Sequence, residues 1–115
     1  MIRQSTTPPS TERRPKRRNR VLLGGLISYA GGNHNFTCTI RDITDTGARI
    51  AVRGQQFPTD FYLINLRDRI VYDAQVIWFS SKEAGVKFRK VFRLSEIDDP
   101  ALDYLKDAWL AQATR

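Results

Sequence analysis

Two groups of residues in this 115-residue sequence carry side chains suited to binding chemistry. The first is an arginine run: Arg13, Arg14, Arg17, Arg18 and Arg20, with Lys16 as its one lysine. A guanidinium is a planar fork that grips phosphate through two parallel hydrogen bonds, and its face stacks on a purine. Alone, such a run also fits a generic polybasic tail that touches RNA, DNA or anionic lipid without specificity. The second group is Asp42-Ile43-Thr44-Asp45-Thr46-Gly47. Read locally it is a turn, with Asp and Thr side chains satisfying backbone groups and Gly47 allowing a positive φ. Asp42 and Thr44 are two residues apart, so both could project to the same side of a strand end. A carboxylate there could accept from the N1–H and amino group of a guanine, and a hydroxyl could donate to a phosphate or ribose oxygen.

Catalytic chemistry finds no comparable support. A nucleophile–base pair would need Cys38 or a serine beside His34, the single histidine. His34 falls in a Gly/Asn-rich loop and is expected to face solvent. Cys38 falls on the apolar face of a strand and is expected to fill core space. Most of the acids in Glu96–Asp107 suit the start of a helix, where they complement its dipole. No Walker-type phosphate loop is present. One cysteine and one histidine exclude a disulfide framework and argue against a His/Cys metal site. The expectation is a protein without catalysis, cofactor or metal.

Charge is concentrated at one end. The chain has 19 Lys plus Arg against 12 Asp plus Glu, a net charge of +7, and residues 1–20 contribute +6 of it. The body is therefore near neutral and the N-terminal arm strongly basic, which excludes a protein that is basic all over and points to an anion met by the arm. A hydrophobic content of 41% suffices for a core. No apolar run approaches the roughly 20 residues of a membrane-spanning helix. The N-terminus has no apolar stretch after its charges, so no secretory signal is expected. These features lead to the expectation of a soluble protein of a reducing compartment, the cytoplasm.

The elements that must position these residues follow from periodicity. Residues 1–12 are Ser/Thr/Pro-rich and read as a disordered leader. Pro15 favours an extended or turning arm over 13–20. Strands are expected at 21–29, 36–41, 48–52, 61–66, 70–79 and 84–88, joined by hairpin-length turns. Gly24-Gly25 suggests a bulge or sharp bend. Phe36, Cys38 and Ile40 share one face, as do Ala48, Ile50 and Val52. Asp99-Pro100 reads as an N-cap with proline in the first turn. Leu102, Leu105 and Trp109 then recur at helical spacing, so an amphipathic helix is expected over about 100–113, packed on the barrel and plugging an open edge or end. The fold class is all-β with a C-terminal helix: a small six-stranded antiparallel barrel.

The combination of the two groups resembles PilZ domains. An Arg-rich RxxxR arm, a strand, then (D/N)x(S/A)xxG at the start of another strand is that family's signature. Val76-Ile77-Trp78 is similar to its fifth-strand aromatic segment, and Gly85-Val86-Lys87-Phe88 to its closing strand. The resemblance covers roughly residues 13–92, with 93–115 left as the C-terminal helix. Arg14/Arg18 and Arg13/Arg17 both satisfy RxxxR. Arg20 directly precedes the first strand but has Lys16 four residues back. Arg14/Arg18 is the preferred register. Asp42 and Gly47 match the second motif, and Thr44 stands where Ser or Ala is usual.

The resemblance implies a barrel that binds the bacterial second messenger cyclic di-GMP through Arg13, Arg14, Arg17, Arg18, Arg20, Asp42, Thr44 and Gly47. Arg49 and Arg53 are possible outer contacts, and Trp78 is expected in the core or on the barrel surface. The arm would order over the ligand and signal through contact with an unidentified downstream protein, in motility, biofilm or related control. Two other readings remain. One is a PilZ-type barrel that binds no nucleotide and acts as a protein-interaction module. The other is a basic-arm binder of single-stranded nucleic acid, against which the near-neutral body argues, so no specific DNA or RNA partner is expected.

Overall fold

The structure, a computed structural model, describes residues 19–52, 54 and 56–113. The leader 1–12, arm residues 13–18 and Arg53 lie outside the described residues. So does the side chain of Arg20, although its backbone is described.

Six strands form: β1 (Asn19–Tyr29), β2 (His34–Ile43), β3 (Gly47–Ala51), β4 (Asp60–Asn65), β5 (Ile70–Phe79) and β6 (Glu83–Arg93). They close into an antiparallel barrel in the order β1-β2-β3-β6-β5-β4. The expected faces hold. Ile40, Ile50 and Val52 are buried in the barrel interior with Leu23, Ile27 and Leu63, and Phe36, Cys38 and Ala48 pack against them. Their alternation with outward residues is the period-two pattern of a sheet with one face in a core.

β6 runs five residues beyond the expected strand. A register shift between Asp73 and Ala74 of β5 leaves Arg89 of β6 unpaired in the backbone ladder, although its guanidinium reaches Asp73 and Asp60. The extra residue moves the pattern by one phase. Phe88 packs inside the barrel, whereas Phe92, an even number of residues on, packs on the outer cluster. Nor do the Gly24-Gly25 pair mark a bulge; the β1 irregularity lies between Arg20 and Leu23. Gly25 instead leaves room for Cys38, whose Sγ would sit 2.9 Å from a Cβ there. His34, expected in a loop, begins β2, exposed and stacked on the Tyr29 ring at 4.9 Å.

Helix α1 spans Tyr104–Ala113, preceded by a 3-10 turn at Pro100–Leu102. Asp99 caps that turn as expected: its Oδ1 accepts from Ala101 N at 2.9 Å. The ring of strands has no open edge, and α1 lies on the outer wall instead of plugging one. Leu105 packs there on Leu26, Ile64 and Val71, the outward residues of β1, β4 and β5. Trp109 Nε1 donates to Leu66 O at 2.9 Å, and the Arg69 guanidinium stands 4.8 Å from the centre of the Trp109 ring.

Gly47 opens β3 with a φ that is not positive, contrary to the turn reading. The constraint is space: a Cβ on Gly47 would collide with the backbone carbonyl of Val86 in β6. Gly47→Ala should therefore force β3 from β6 and lower the unfolding free energy by about 1–3 kcal/mol, read as a reduced urea midpoint. Leu105 is fully buried, and Leu105→Ala should cost about 2–5 kcal/mol by the same measurement. Burial pushes the Cys38 thiol up to about 12, because a desolvated thiolate is disfavoured. An unfolded thiol titrates near about 8.5, so Cys38 leaves stability unchanged below that pH and lowers it as pH rises above. A thiol reagent at pH 8 should label Cys38 slowly in the native protein and rapidly in urea.

Candidate functional site

Strand register assembles a lateral row across the barrel. Arg20 of β1 pairs with Asp42 of β2, Asp42 with Arg49 of β3, Arg49 with Gly85 of β6, and Gly85 with Trp78 of β5. Irregularities in three of the ladders make this alignment. Register shifts flank Arg41 on both sides of β2, and another sets Trp78, not Ile77, opposite Gly85. Ile50, Ala84 and Val86 point into the interior, so Arg49 and Gly85 face outward by alternation.

Asp42 is the electrostatic centre of the row. It is only 3% exposed. Its Oδ2 accepts from Arg49 Nε at 2.5 Å, and Arg49 Nη1 donates to Glu83 Oε2. The Asp42 hydrogen bond, followed by the charges of Asp42 and Glu83, holds the Arg49 guanidinium above its ordinary pKa. Asp42 Oδ1 is buried and has no hydrogen-bond partner among the described residues. A buried carboxylate oxygen without a donor carries a desolvation cost that a ligand N–H would relieve.

Asp42, Thr44, Gly47, Arg49, Trp78 and Gly85 line a cavity of about 200 Å³. Trp78 is 44% exposed, and its indole lies over Gly85, where any Cβ would collide with the ring. Thr44 follows β2 and holds the β2–β3 turn. Its Oγ1 accepts from Thr46 N at 3.2 Å and Gly47 N at 3.1 Å, and donates to Gly47 O at 3.2 Å. The hydroxyl is thus engaged within the turn, and Thr44 reaches the cavity as part of its wall.

The structure brings together Asp42, Thr44 and Gly47, and sets the backbone of Arg20 opposite Asp42. Arg13, Arg14, Arg17 and Arg18 lie outside the described residues but lead directly into Asn19, whose partner is Ile43. Arg49, read from sequence as an outer contact, is bonded to Asp42. Glu83 was assigned to a turn, and its contact with Arg49 spans a sequence separation of 34. No local pattern carries that pairing. The signal available for Arg49 was its position beside Ile50, which turns it away from the core.

Larger cavities lie elsewhere. One of about 490 Å³ is lined by Val52, Phe57, Pro58, Val76 and Phe79 among others, with no charged residue among the described ones. Another, of about 760 Å³, adjoins it and includes Arg41 and Lys82. Neither includes, among the described residues, one singled out for ligand binding from the sequence. Among the described residues no group of three or more His, Cys, Asp or Glu is placed to hold a metal ion, and no helix is long and apolar enough to cross a membrane.

No curated protein matches the chain. A family model, that of the PilZ domain, matches residues 12–107. The match takes in the arm, the whole barrel and the first turn of α1. It accords with the closed six-stranded barrel and with the motif residues gathered around Asp42. This chain belongs to the PilZ domain family.

Proposed function

We propose that this PilZ domain is a receptor for cyclic di-GMP that acts by binding and not by catalysis. The observation that carries the reading is the buried Oδ1 of Asp42, without a partner among the described residues, in a residue that lines a cavity next to the strand into which the arginine arm runs. A guanine edge offers an N1–H and an amino group, the donors such an oxygen lacks. The ligand's two phosphates and its purine faces suit the arginines of residues 13–20. The cavity, at about 200 Å³, is smaller than the roughly 300–1,000 Å³ of most small-molecule sites. It suits one guanine edge, with the arm supplying the remaining enclosure.

In this reading Asp42 accepts from the guanine, Thr44 and Gly47 shape the wall, and Arg14 and Arg18, with Arg13, Arg17 and Arg20 beside them, meet phosphates and base faces. The arm closes over the ligand, and the surface so formed is what a downstream protein in the bacterial cytoplasm would recognise. The conformational entropy of fixing the arm, about 1–2 kcal/mol per residue, is offset by the ionic contacts.

Isothermal titration of the folded protein should give saturable binding of cyclic di-GMP at micromolar affinity or better. Arg18→Ala and Asp42→Ala should each weaken it by about 10- to 100-fold, from the 1.5–3 kcal/mol of a charge-assisted hydrogen bond, with the barrel still folded. No heat from folded wild-type protein would overturn the reading and leave a protein-interaction module. Wild-type affinity in both variants would overturn the residue assignment.

A further inference from the structure

Asp42 presents an asymmetric carboxylate. Oδ2 is bonded to Arg49, while Oδ1 is buried with no hydrogen-bond partner among the described residues. The carboxylate torsion is a broad rotor, so nothing intrinsic to aspartate fixes the plane of the carboxylate at the cavity wall. Arg49 supplies the restraint. Its guanidinium is rigid and planar, and it is held at two nitrogens, Nε on Asp42 and Nη1 on Glu83. Glu83 is the second anchor of that plane. It does not line the Asp42 cavity.

We propose that Arg49 and Glu83 form a positioning pair that fixes the plane of the Asp42 carboxylate, so that its second oxygen is offered to the ligand at one place, and so sets the base selectivity of the site. The inference rests on the cyclic di-GMP reading. A guanine presents an N1–H donor to the offered oxygen, whereas adenine presents a bare N1 lone pair at the same place. Discrimination between the two bases then depends on Oδ1 staying in place. Without Glu83 the guanidinium is free to turn and engage both oxygens of Asp42. The offered acceptor is then lost, although no residue of the cavity wall has changed. Arg49→Lys keeps the charge but replaces the two-point fork with a single ammonium, and should have the same consequence.

The test is titration of the full chain with cyclic di-GMP and cyclic di-AMP, comparing wild type, Glu83→Gln and Arg49→Lys. Both variants should lower the ratio of the two affinities by about tenfold, the effect of misplacing one charge-assisted hydrogen bond. A merely structural role for the pair would leave that ratio unchanged. Ratios within about twofold of wild type in both variants would overturn the inference while leaving cyclic di-GMP binding intact. A wild-type protein that binds neither nucleotide would overturn the functional reading instead. In that event a urea-denaturation cycle of Asp42→Asn with Glu83→Gln decides the linkage. Non-additive midpoints support coupling through Arg49, and additive ones overturn it.

Discussion

A carboxylate that is 3% exposed on the wall of a barrel must meet a cation or donors, because an isolated buried charge is very costly. Arg49 meets Asp42 at Oδ2, and Oδ1 has no partner among the described residues; much of what is distinctive in this molecule turns on that pairing. The barrel holds the pair by register. The irregularities around Arg41 put Asp42 directly across from Arg49, and the pairing of β3 with β6, which sets Ala51 opposite Glu83, brings Glu83 within reach of the same guanidinium. Structural demand and the proposed binding thus rest on one ion-pair network.

Closure of the strand ring separates two kinds of wall. β1, β4 and β5 carry the outward residues Leu26, Ile64 and Val71, and α1 covers them. The row from Arg20 to Trp78 runs across β1, β2, β3, β6 and β5, ending on the far part of β5. β1 and β5 contribute to both, using different stretches. The helix is fixed by apolar packing with an indole hydrogen bond and a cation–π contact, whereas the row relies on charge, so the two regions respond to different solution conditions.

Much of this was legible in the sequence, because alternation is a local property. Ile40, Ile50 and Val52 announced their faces, and Asp42 and Gly47 fell in a recognisable motif; Asp99-Pro100 announced a cap, but of the 3-10 turn at Pro100–Leu102, and the helix expected from about 100 begins at Tyr104. What escaped was non-local or phase-breaking. The extra residue at Arg89 hid the second half of β6 from a period-two reading. The need for glycine at position 47 comes from a carbonyl of Val86 on another strand, and sequence offered only the commoner explanation of a turn dihedral. The partnership of Arg49 with Glu83 depends on β3 lying beside β6, an adjacency that no spacing in the chain states. Where α1 would rest depended on whether the ring closes, a property of all six strands together.

The two tryptophans, the full complement in the chain, sit in contrasting surroundings. Trp78 borders the Asp42 cavity and is 44% exposed. Trp109 lies under a guanidinium with its Nε1 bonded to a carbonyl. Intrinsic emission is therefore a two-channel optical reporter already built into the molecule. One fluorophore registers what happens on the charged row, the other registers whether α1 stays seated. Replacing either indole by phenylalanine isolates the other signal, without a dye or a tag.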